Sequence, residues 1–353
     1  MPLYNQIIEF LNTFRFSHSD IEFLKEILPH AEKEFFDYIA HVDGRALTVY
    51  SLREGSLVFP MEPLIRVEGP LGIAQLVETP LLNMIGFPTL VCTNAARFRV
   101  AAGRDKILLE FGLRRAQGPD GGMSASEFSV MGGFDKTSNV LASQLFGISP
   151  SGTTAHAFVM SFSSFKDIKS TTIKRGDDPS KEEDFLKVVL EKQKLLAPIE
   201  VPSESGRPVT LGSYTTNEGE LASFISYAIS FPTSFCALCD TYDTLKSGVP
   251  NYLAIALALI ECGYGPGSMR LDSGDLAYLS RQARAMFKVV ADALKIPKLL
   301  NAKIVASNDI NEETLYSLSA QQHEIDIFGI GTNLVCFMLV PLPFSFLLSI
   351  CYR

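Results

Sequence analysis

The spacing of apolar and polar residues changes near residue 80. Before that point, residues 17–28 begin with a Ser/Asp cap signal and then place apolar residues at helical spacing, namely Ile21, Phe23, Leu24 and Ile27. Residues 46–72 alternate between apolar and polar types, with breaks at 54–55 and 68–70, which is typical of short antiparallel strands. We therefore predict a partial N-terminal α+β domain over residues 1–80.

Beyond residue 80, short apolar runs alternate with longer amphipathic runs. The apolar runs predict strands in KILLEFG, FCALCD, GSMRLD, KIVASN and IDIFGIGT. Repeated β–α units predict a parallel sheet, open or closed, and their number favours a barrel. We assign residues 81–335 to an α/β barrel catalytic domain. A charged run at 166–187 predicts an exposed, mobile loop without a chemical role.

The last residues, 336–353, form an atypical hydrophobic tail without charge before Arg353. A membrane-spanning helix needs about 20 apolar residues. The tail is shorter than that and contains Pro341 and Pro343, which disfavour a helix interior. We predict that the tail replaces the ordinary C-terminus of the protein, and a membrane anchor is the alternative.

Composition narrows the class of protein. Of the 353 residues, 47% are hydrophobic and 20% are charged, which is enough apolar content for a full globular core. The net charge of −8 and the absence of a Lys/Arg cluster argue against nucleic acid as a partner. Six cysteines and an amphipathic start without a secretory leader predict a cytoplasmic protein.

Polar groups follow the predicted strands one after another. In a parallel α/β barrel, the active site lies at the C-terminal ends of the strands. Six successive groups exceed what helix capping alone requires. They are Arg114 and Arg115; Gly152, Thr153, Thr154 and His156; Asp240 and Asp243; Arg270, Asp272, Ser273 and Asp275; Ser307, Asn308 and Asp309; and Gly329, Gly331 and Thr332.

The chemical character of these groups indicates an anionic substrate. Arginines and Gly-Thr backbone loops are suited to phosphate groups. Carboxylates among them suit Mg²⁺ or sugar hydroxyls. The mixture predicts a phosphorylated sugar bound together with a metal ion, whose ligands the sequence leaves unknown. Each group taken alone has an ordinary structural explanation, and Cys236 and Cys239 fit buried core residues better than a redox or zinc pair.

Seven segments closely resemble nicotinate phosphoribosyltransferase, in the order in which that family carries them. They are EFGLRRAQGPDGG, GGFDKTSNVLASQLFGI, SGTTAHAFVMSF, ALCDTYDT, LALIECGYGPGSMRLDSGDLAYLS, IVASNDINEETL and FGIGTNLV. The resemblance runs from about Phe14 to Val335. It implies a type II phosphoribosyltransferase fold, which is an irregular (β/α) barrel with a smaller N-terminal β-containing domain.

The resemblance also implies a reaction. Members of this family join nicotinate to phosphoribosyl pyrophosphate, giving nicotinate mononucleotide and pyrophosphate for NAD salvage, with ATP hydrolysis coupled to the step. We therefore expect an enzyme with Mg²⁺ as cofactor and ATP as co-substrate, and a homodimer as the full-length family form.

Individual roles follow by resemblance. His156 resembles the histidine that ATP phosphorylates, and a neutral imidazole is a competent nucleophile near neutral pH. Asp272 resembles the carboxylate near the ribose hydroxyls and the metal, and Arg270 the partner of the nicotinate carboxylate. The complete set of expected substrate contacts is Arg114, Thr153, Arg270, Asp240, Ser307, Asn308, Gly331 and Thr332, with Thr332 at the 5-phosphate.

Both ends of the chain depart from the family pattern. Family members carry a further N-terminal segment, whose tyrosine stacks on nicotinate across a dimer interface, and they continue beyond Val335. We therefore expect an incomplete barrel and a chain that is poorly soluble or inactive alone. The alternatives are an inactive truncated isoform that modulates full-length subunits, and a related nicotinamide or quinolinate phosphoribosyltransferase.

Overall fold

The computed structural model describes residues 3–203, 206–336 and 349–352. Its N-terminal part contains α1 (Leu3–Thr13), α2 (His18–Ile27), α3 (Lys33–Ile39), β1 (Thr48–Ser51), β2 (Ile65–Gly69) and α4 (Leu71–Ala102). The predicted cap of α2 is present, because the Ser17 hydroxyl accepts from the Asp20 N–H while the Asp20 carboxylate accepts from the Ser17 N–H. The predicted antiparallel strands are β1 and β2, which pair along the whole of β1.

From residue 107 onward, strands and helices alternate. The elements are β3 (Ile107–Glu110), α5 (Gly118–Met131), β4 (Lys136–Thr137), α6 (Val140–Phe146), α7 (His156–Met160), β5 (Thr172–Lys174), β6 (Glu182–Asp184), α8 (Phe185–Leu196), β7 (Glu200–Val201), β8 (Val209–Thr210), α9 (Glu218–Ser230), β9 (Cys236–Leu238), α10 (Val249–Glu261), β10 (Ser268–Leu271), α11 (Leu276–Leu294), β11 (Lys303–Ala306), α12 (Glu312–Ala320), β12 (Ile327–Ile330), α13 (Thr332–Val335) and β13 (Ser349–Tyr352). The five strands predicted from apolar runs are confirmed as β3, β9, β10, β11 and β12.

Six parallel strands form the barrel sheet in the order β4, β3, β12, β11, β10, β9. β12 pairs with β3, so the last of these strands lies beside the first. Residues 149–153 fill the gap between β4 and β9 without forming a full strand. Pro150 bridges Thr137, and the Thr153 hydroxyl donates to the Cys236 carbonyl at 3.1 Å. The prediction of an irregular, incomplete (β/α) barrel with a smaller N-terminal β-containing part is confirmed.

The long helix α4 joins the N-terminal part to the barrel. Its first half contributes Val77 and Leu81 to a cluster shared with β2, and its second half contributes Val91 and Phe98 to the barrel core. The predicted boundary at residue 80 therefore falls inside a continuous helix, and the division into 1–80, 81–335 and 336–353 stays a prediction. Residues 337–348 and 353 of the predicted tail lie outside the described residues.

Among the described residues, α4 alone is long and apolar enough to cross a membrane. Length and composition are the only basis for that statement, and the core helices of globular proteins meet the same criterion. In this fold α4 packs against α5 and α12.

The barrel core is apolar and rich in aromatic rings. α10 is buried on all sides from Val249 to Leu259, as its almost wholly apolar sequence requires. The Tyr252 ring lies parallel to Phe235 at a centroid distance of 6.4 Å and packs against Phe287 at 5.4 Å. The Tyr252 hydroxyl donates to the Pro266 carbonyl, so this buried polar group is satisfied.

Residues 166–187, predicted as an exposed, mobile loop, are mostly exposed but contain regular secondary structure, so the prediction of a loop is wrong. The segment contains the antiparallel pair β5 and β6 and runs into α8. Ile173 on β5 is buried, and the charges of the segment pair with one another, since Arg175 contacts both Asp177 and Glu183. The charged composition of the segment gave no indication of this hairpin, which packs on the core through the buried Ile173 side chain.

At the N-terminal end of the barrel, Asp326 connects a helix to two strands. Its carboxylate accepts from the Ile304 N–H at 2.8 Å and from Arg284 Nη2 at 2.6 Å. Arg284 on α11 also donates to the Ala302 carbonyl at 2.7 Å. This half-buried carboxylate lies at the end of the strands opposite the polar loops, so it serves stability.

We expect Asp326→Asn to lower the free energy of unfolding by about 1–3 kcal/mol, because it removes a charge-assisted contact to Arg284 and weakens the bond to Ile304 N–H. Urea denaturation measures the change. The control is Glu324→Gln, because Glu324 is half exposed and lies 3.7 Å from Arg284. That control should change stability by less than about 1 kcal/mol. Equal effects of the two substitutions would contradict this account.

Glu220 is a second buried carboxylate, located in the first turn of α9. Its Oε2 accepts from the Ser247 hydroxyl at 2.6 Å and from Asn251 Nδ2 at 2.9 Å, whereas Oε1 has no partner among the described atoms. Burial raises the pKa of Glu220 to about 7, and the nearby Asp240 and Asp243 charges add to the shift. The folded state therefore favours the protonated form.

A raised folded-state pKa contributes stability that is present below the unfolded-state value of 4.5 and is lost as the pH rises through about 7. We expect the wild type to lose on the order of 2 kcal/mol more stability than Glu220→Gln between about pH 5 and about pH 8. Chemical denaturation across that range measures it. Glu218→Gln, at an exposed carboxylate on the same turn, should keep the wild-type profile. If the plots of stability against pH were parallel for the wild type and Glu220→Gln, the raised pKa of Glu220 would be refuted.

Candidate active site

A cavity of about 450 Å³ lies at the C-terminal ends of the barrel strands. This is the end at which α/β barrels carry their active sites. Nine of the ten predicted site residues line it, namely His156, Asp272, Arg114, Thr153, Arg270, Ser307, Asn308, Gly331 and Thr332. The tenth, Asp240, lies beneath the wall, and its side chain is 1% exposed. The structure therefore brings all ten predicted residues into one region.

Three partners hold the Arg270 guanidinium, which projects from β10. Nε donates to the Ser307 hydroxyl at 2.7 Å, Nη1 to the Thr154 carbonyl at 3.2 Å and Nη2 to Asp272 Oδ1 at 2.8 Å. The group also lies over the Phe111 ring at 5.7 Å from its centroid. A guanidinium has five N–H groups, so these contacts leave two for a ligand. Two free donors on a fixed plane suit a carboxylate.

Asp272 links Arg270 to the neighbouring loops. Its Oδ1 accepts from Arg270 and from the Ser307 hydroxyl, and its backbone N–H donates to Asp240 Oδ2 at 3.2 Å. The Ser273 hydroxyl donates to the same Asp240 oxygen. The carboxylates after β9 and β10 are therefore held by hydrogen bonds from neighbouring residues, which keeps two negative charges close to one cavity.

His156 begins α7, at the point where the Ser-Gly-Thr-Thr loop ends. Its Nε2 lies 3.4 Å from Asp240 Oδ1, and the ring is 41% exposed. This distance is long for a hydrogen bond, and Asp240 Oδ1 has no other partner among the described atoms. The histidine is therefore accessible from the cavity, with a buried carboxylate on the side of Nε2.

Two further loops form part of the cavity wall. The loop after β11 carries Asn308 and Asp309, both with positive φ, and the loop after β12 carries Gly331 and Thr332. The Thr332 hydroxyl donates to Asp309 Oδ1 at 3.4 Å, which is a weak contact that a ligand can replace. Backbone N–H groups and a hydroxyl at this place are suited to an anion.

Thr153 and Arg114 differ in what they offer a ligand. The Thr153 hydroxyl is engaged with the Cys236 carbonyl, so its backbone and methyl group are what remain for the cavity. Arg114 and Arg115 follow β3 in a short 3₁₀ turn, line the cavity and are exposed. They supply positive charge at the mouth of the cavity.

Glu110 is a residue of the site region that the sequence analysis missed. It is fully buried at the end of β3, and its carboxylate accepts from the Gly112 N–H, the Ser126 hydroxyl at 3.0 Å and the Thr137 hydroxyl at 2.5 Å. These bonds fix the turn that carries Arg114. Its position directly before the FGLRR motif was the available signal. Phe111 and Ser138 also line the cavity and were missed.

No cluster of three or more His, Cys, Asp or Glu side chains suitable for a metal occurs within the described ranges. Cys236 and Cys239 are buried and free, in agreement with their expected place in the core. Of the cavity-lining residues, Asp272 and Asp309 provide carboxylate oxygens. Mg²⁺ commonly binds to one or two carboxylates together with substrate phosphates, so this donor set fits a metal that arrives with its substrate.

Comparison with known proteins identifies the relatives of this chain. Residues 2–86 match the nicotinate phosphoribosyltransferase (NAPRTase) N-terminal domain. Nicotinate phosphoribosyltransferase 1 of Arabidopsis thaliana is 50% identical over 331 residues, which cover 94% of this chain and 58% of that protein. Nicotinate phosphoribosyltransferase of Homo sapiens is 44% identical over 93% of this chain and 60% of that protein.

The fold comparison agrees with the sequence comparison. The crystal structure of human nicotinic acid phosphoribosyltransferase superposes with a TM-score of 0.81 at 40% identity, covering 94% of this chain and 64% of that chain. Nicotinate-nucleotide pyrophosphorylase from Pyrococcus furiosus, at 21% identity and a TM-score of 0.51, shares the fold.

The chain spans less than two thirds of the length of these relatives. Within that span, similarity extends over nearly every residue and across both the N-terminal part and the barrel. Sequence and fold therefore make this chain a relative of the nicotinate phosphoribosyltransferases, with a type II phosphoribosyltransferase-like fold.

Proposed function

We propose that this chain carries the catalytic centre of a nicotinate phosphoribosyltransferase. The reaction joins nicotinate to phosphoribosyl pyrophosphate, giving nicotinate mononucleotide and pyrophosphate in NAD salvage, with ATP hydrolysis coupled to it. The observation that carries the proposal is the fixed Arg270 guanidinium, with two free N–H groups, in the same cavity as His156 and the loop at Thr332.

In this proposal, Arg270 binds the nicotinate carboxylate and thereby orients the ring. The ring nitrogen attacks the anomeric carbon of the ribose, a C–N bond forms, and the C–O bond to pyrophosphate breaks with its electron pair leaving on oxygen. A pyridine nitrogen is already a free nucleophile, so no general base is required. The side chain of Asp272, held by Arg270 and Ser307, is available to the ribose hydroxyls.

Charge develops on the leaving pyrophosphate as this bond breaks. Arg114 and Arg115 at the cavity mouth supply positive charge near it, and fixed charges stabilise the transition state more than the ground state. The 5-phosphate is assigned to Asn308, Gly331 and Thr332. When bound, Mg²⁺ neutralises the charge of pyrophosphate, and Asp272 and Asp309 would hold it together with the phosphate oxygens.

ATP acts in this proposal by phosphorylating His156. An imidazole nitrogen attacks the γ-phosphorus, a P–N bond forms, and ADP leaves with the electron pair of the broken P–O bond. The imidazole gains positive charge as it does so. Asp240, at 3.4 Å from Nε2 and almost fully buried, stabilises that charge strongly because little solvent separates the two groups.

Two expectations about the whole protein belong to the same proposal. A homodimer, as in the family form, is supported by exposed apolar side chains of α6 beside the cavity, namely Val140, Leu141 and Leu145. A cytoplasmic location remains the prediction from the sequence. Both expectations concern the full-length form, since the relatives are longer than this chain.

The alternative functions are less well supported. Nicotinamide has no carboxylate, so it offers the two free N–H groups of Arg270 a single neutral amide oxygen, whereas nicotinate offers two oxygens and a negative charge. The described site gives no support to a catalytically inactive isoform, because all ten predicted residues lie together around the cavity. The expected insolubility or inactivity of the chain alone stays a prediction.

We expect His156→Ala to abolish transfer of labelled γ-phosphate from ATP to the chain, because the substitution removes the nucleophile. Acid-labile, base-stable radiolabel on the protein measures it. Turnover of nicotinate without ATP should persist at a low rate, because the binding groups remain. The control is His30→Ala, at an exposed histidine of the N-terminal part, which should label like the wild type. Unchanged labelling of His156→Ala would refute the role.

We expect Arg270→Lys to raise the KM for nicotinate by roughly 10–100-fold, because lysine cannot make a planar bidentate contact with a carboxylate. The preference for nicotinate over nicotinamide should fall by a similar factor in steady-state assays. Arg281→Lys is the control, since Arg281 lies on the outside of α11 and donates to the Gln321 carbonyl. A preserved preference in Arg270→Lys would remove Arg270 from the nicotinate site.

A further inference from the structure

The two loops assigned to the 5-phosphate need support from outside the cavity. Asn308 and Asp309, after β11, have φ angles of 114° and 45°, which non-glycine residues rarely adopt. Gly331 follows β12 and is the N-cap of the four-residue helix α13, which begins at Thr332. Neither loop is long enough to fix its own shape through regular secondary structure, so its contacts with other elements determine where its N–H groups lie.

Asn94 on α4 provides such a contact. Its side-chain amide donates to the Asn333 carbonyl at 2.6 Å and to the Leu334 carbonyl at 3.2 Å. These carbonyls belong to the last turn of α13, where the helix offers its carbonyl oxygens no N–H donors of its own. Asn94 therefore satisfies the end of α13 from a helix that lies 239 residues away in sequence.

Asn333 extends the same connection to the second loop. Its side-chain amide donates to the Asp309 carbonyl at 3.0 Å and to the Ile310 carbonyl at 3.1 Å. Its own backbone carbonyl is the atom that Asn94 holds. Amide groups thus connect α4 to the loop after β12, and that loop to the loop after β11, with Asn94 at the outer end.

We propose that Asn94 is a positioning residue for the 5-phosphate of the sugar substrate, an inference that rests on the proposed function. Asn94 is not among the residues that line the cavity. It holds the two loops in the geometry that receives the phosphate, which lowers the cost of ordering them when the ligand binds. Arg270 is held by Thr154, Asp272 and Ser307, and of these only Ser307 borders the loop after β11, so the larger effect falls at the phosphate end of the cavity.

The test uses Asn94→Ala, which removes the donor, and Asn94→Asp, which keeps the shape but turns an oxygen toward two carbonyls. Both should raise the Kd for ribose 5-phosphate in calorimetry, and the KM for phosphoribosyl pyrophosphate, by about 10-fold. The KM for nicotinate and kcat should stay at wild-type values. The matched control is Arg97→Gln, one turn further along α4, which removes the ion pair from Arg97 to Glu312 on α12 without touching either loop.

The proposal is supported if the Asn94 variants raise the Kd for ribose 5-phosphate and the KM for phosphoribosyl pyrophosphate, while Arg97→Gln leaves both at wild-type values. Equal changes in both KM values, or the same change in Arg97→Gln, would show a general loss of packing and overturn it. The calorimetric arm separates this inference from the proposed function. If the wild type binds ribose 5-phosphate but does not turn over nicotinate, the proposed function fails while the role of Asn94 is still decided by the Kd values.

Hydrogen exchange provides a readout that needs no ligand. In Asn94→Ala, the amides of residues 332–336 should exchange about 10-fold faster than in the wild type, because α13 loses its distant cap. Exchange in α12, which Arg97 contacts through Glu312, should not change. Wild-type protection of residues 332–336 in Asn94→Ala would overturn the proposal even if the protein is folded and active.

Discussion

The parallel pairing of β12 with β3 is the constraint on which the candidate site depends. Register places Ile330 beside Glu110, so residues 220 positions apart in sequence end their strands at the same level. Parallel strands that curve into a ring send all their C-terminal loops to one end. Without that pairing, the arginines after β3 and the loop after β12, with Gly331 and Thr332, would lie at opposite edges of an open sheet.

Polar groups beneath the cavity reinforce this geometry. Glu110 and Asp240 are buried carboxylates at the ends of β3 and β9, and each accepts from backbone and hydroxyl donors of neighbouring segments. Burying a carboxylate is costly unless its oxygens are hydrogen-bonded. These hydrogen bonds form only when the donor segments lie where the structure has them. Each buried carboxylate therefore stabilises this arrangement of the chain relative to arrangements in which its oxygens would lack donors. Asp240 Oδ1 is the exception, and it is the oxygen that faces His156.

Sequence reasoning predicted the elements whose signals are local. The apolar strands, the cap at Ser17 and the polar groups after each strand follow from short patterns that need no partner. Glu110 and Asn94 were not found, because their importance comes from acceptors and donors far away in the sequence. The extent of α4 was also missed. Pro80 and Pro88 predict a break, yet packing on both halves keeps one helix from Leu71 to Ala102.

The same distinction explains why the role of Thr153 was only partly foreseeable. A threonine in a Gly-Thr loop offers a hydroxyl to a ligand when only the sequence is considered. In the fold that hydroxyl donates to the Cys236 carbonyl, at the place where the ring lacks a strand between β4 and β9. The Thr153 hydroxyl is therefore already hydrogen-bonded within the protein before a substrate binds. The loop therefore contributes His156 and backbone groups to the cavity, and its first threonine keeps the loop in register with β9.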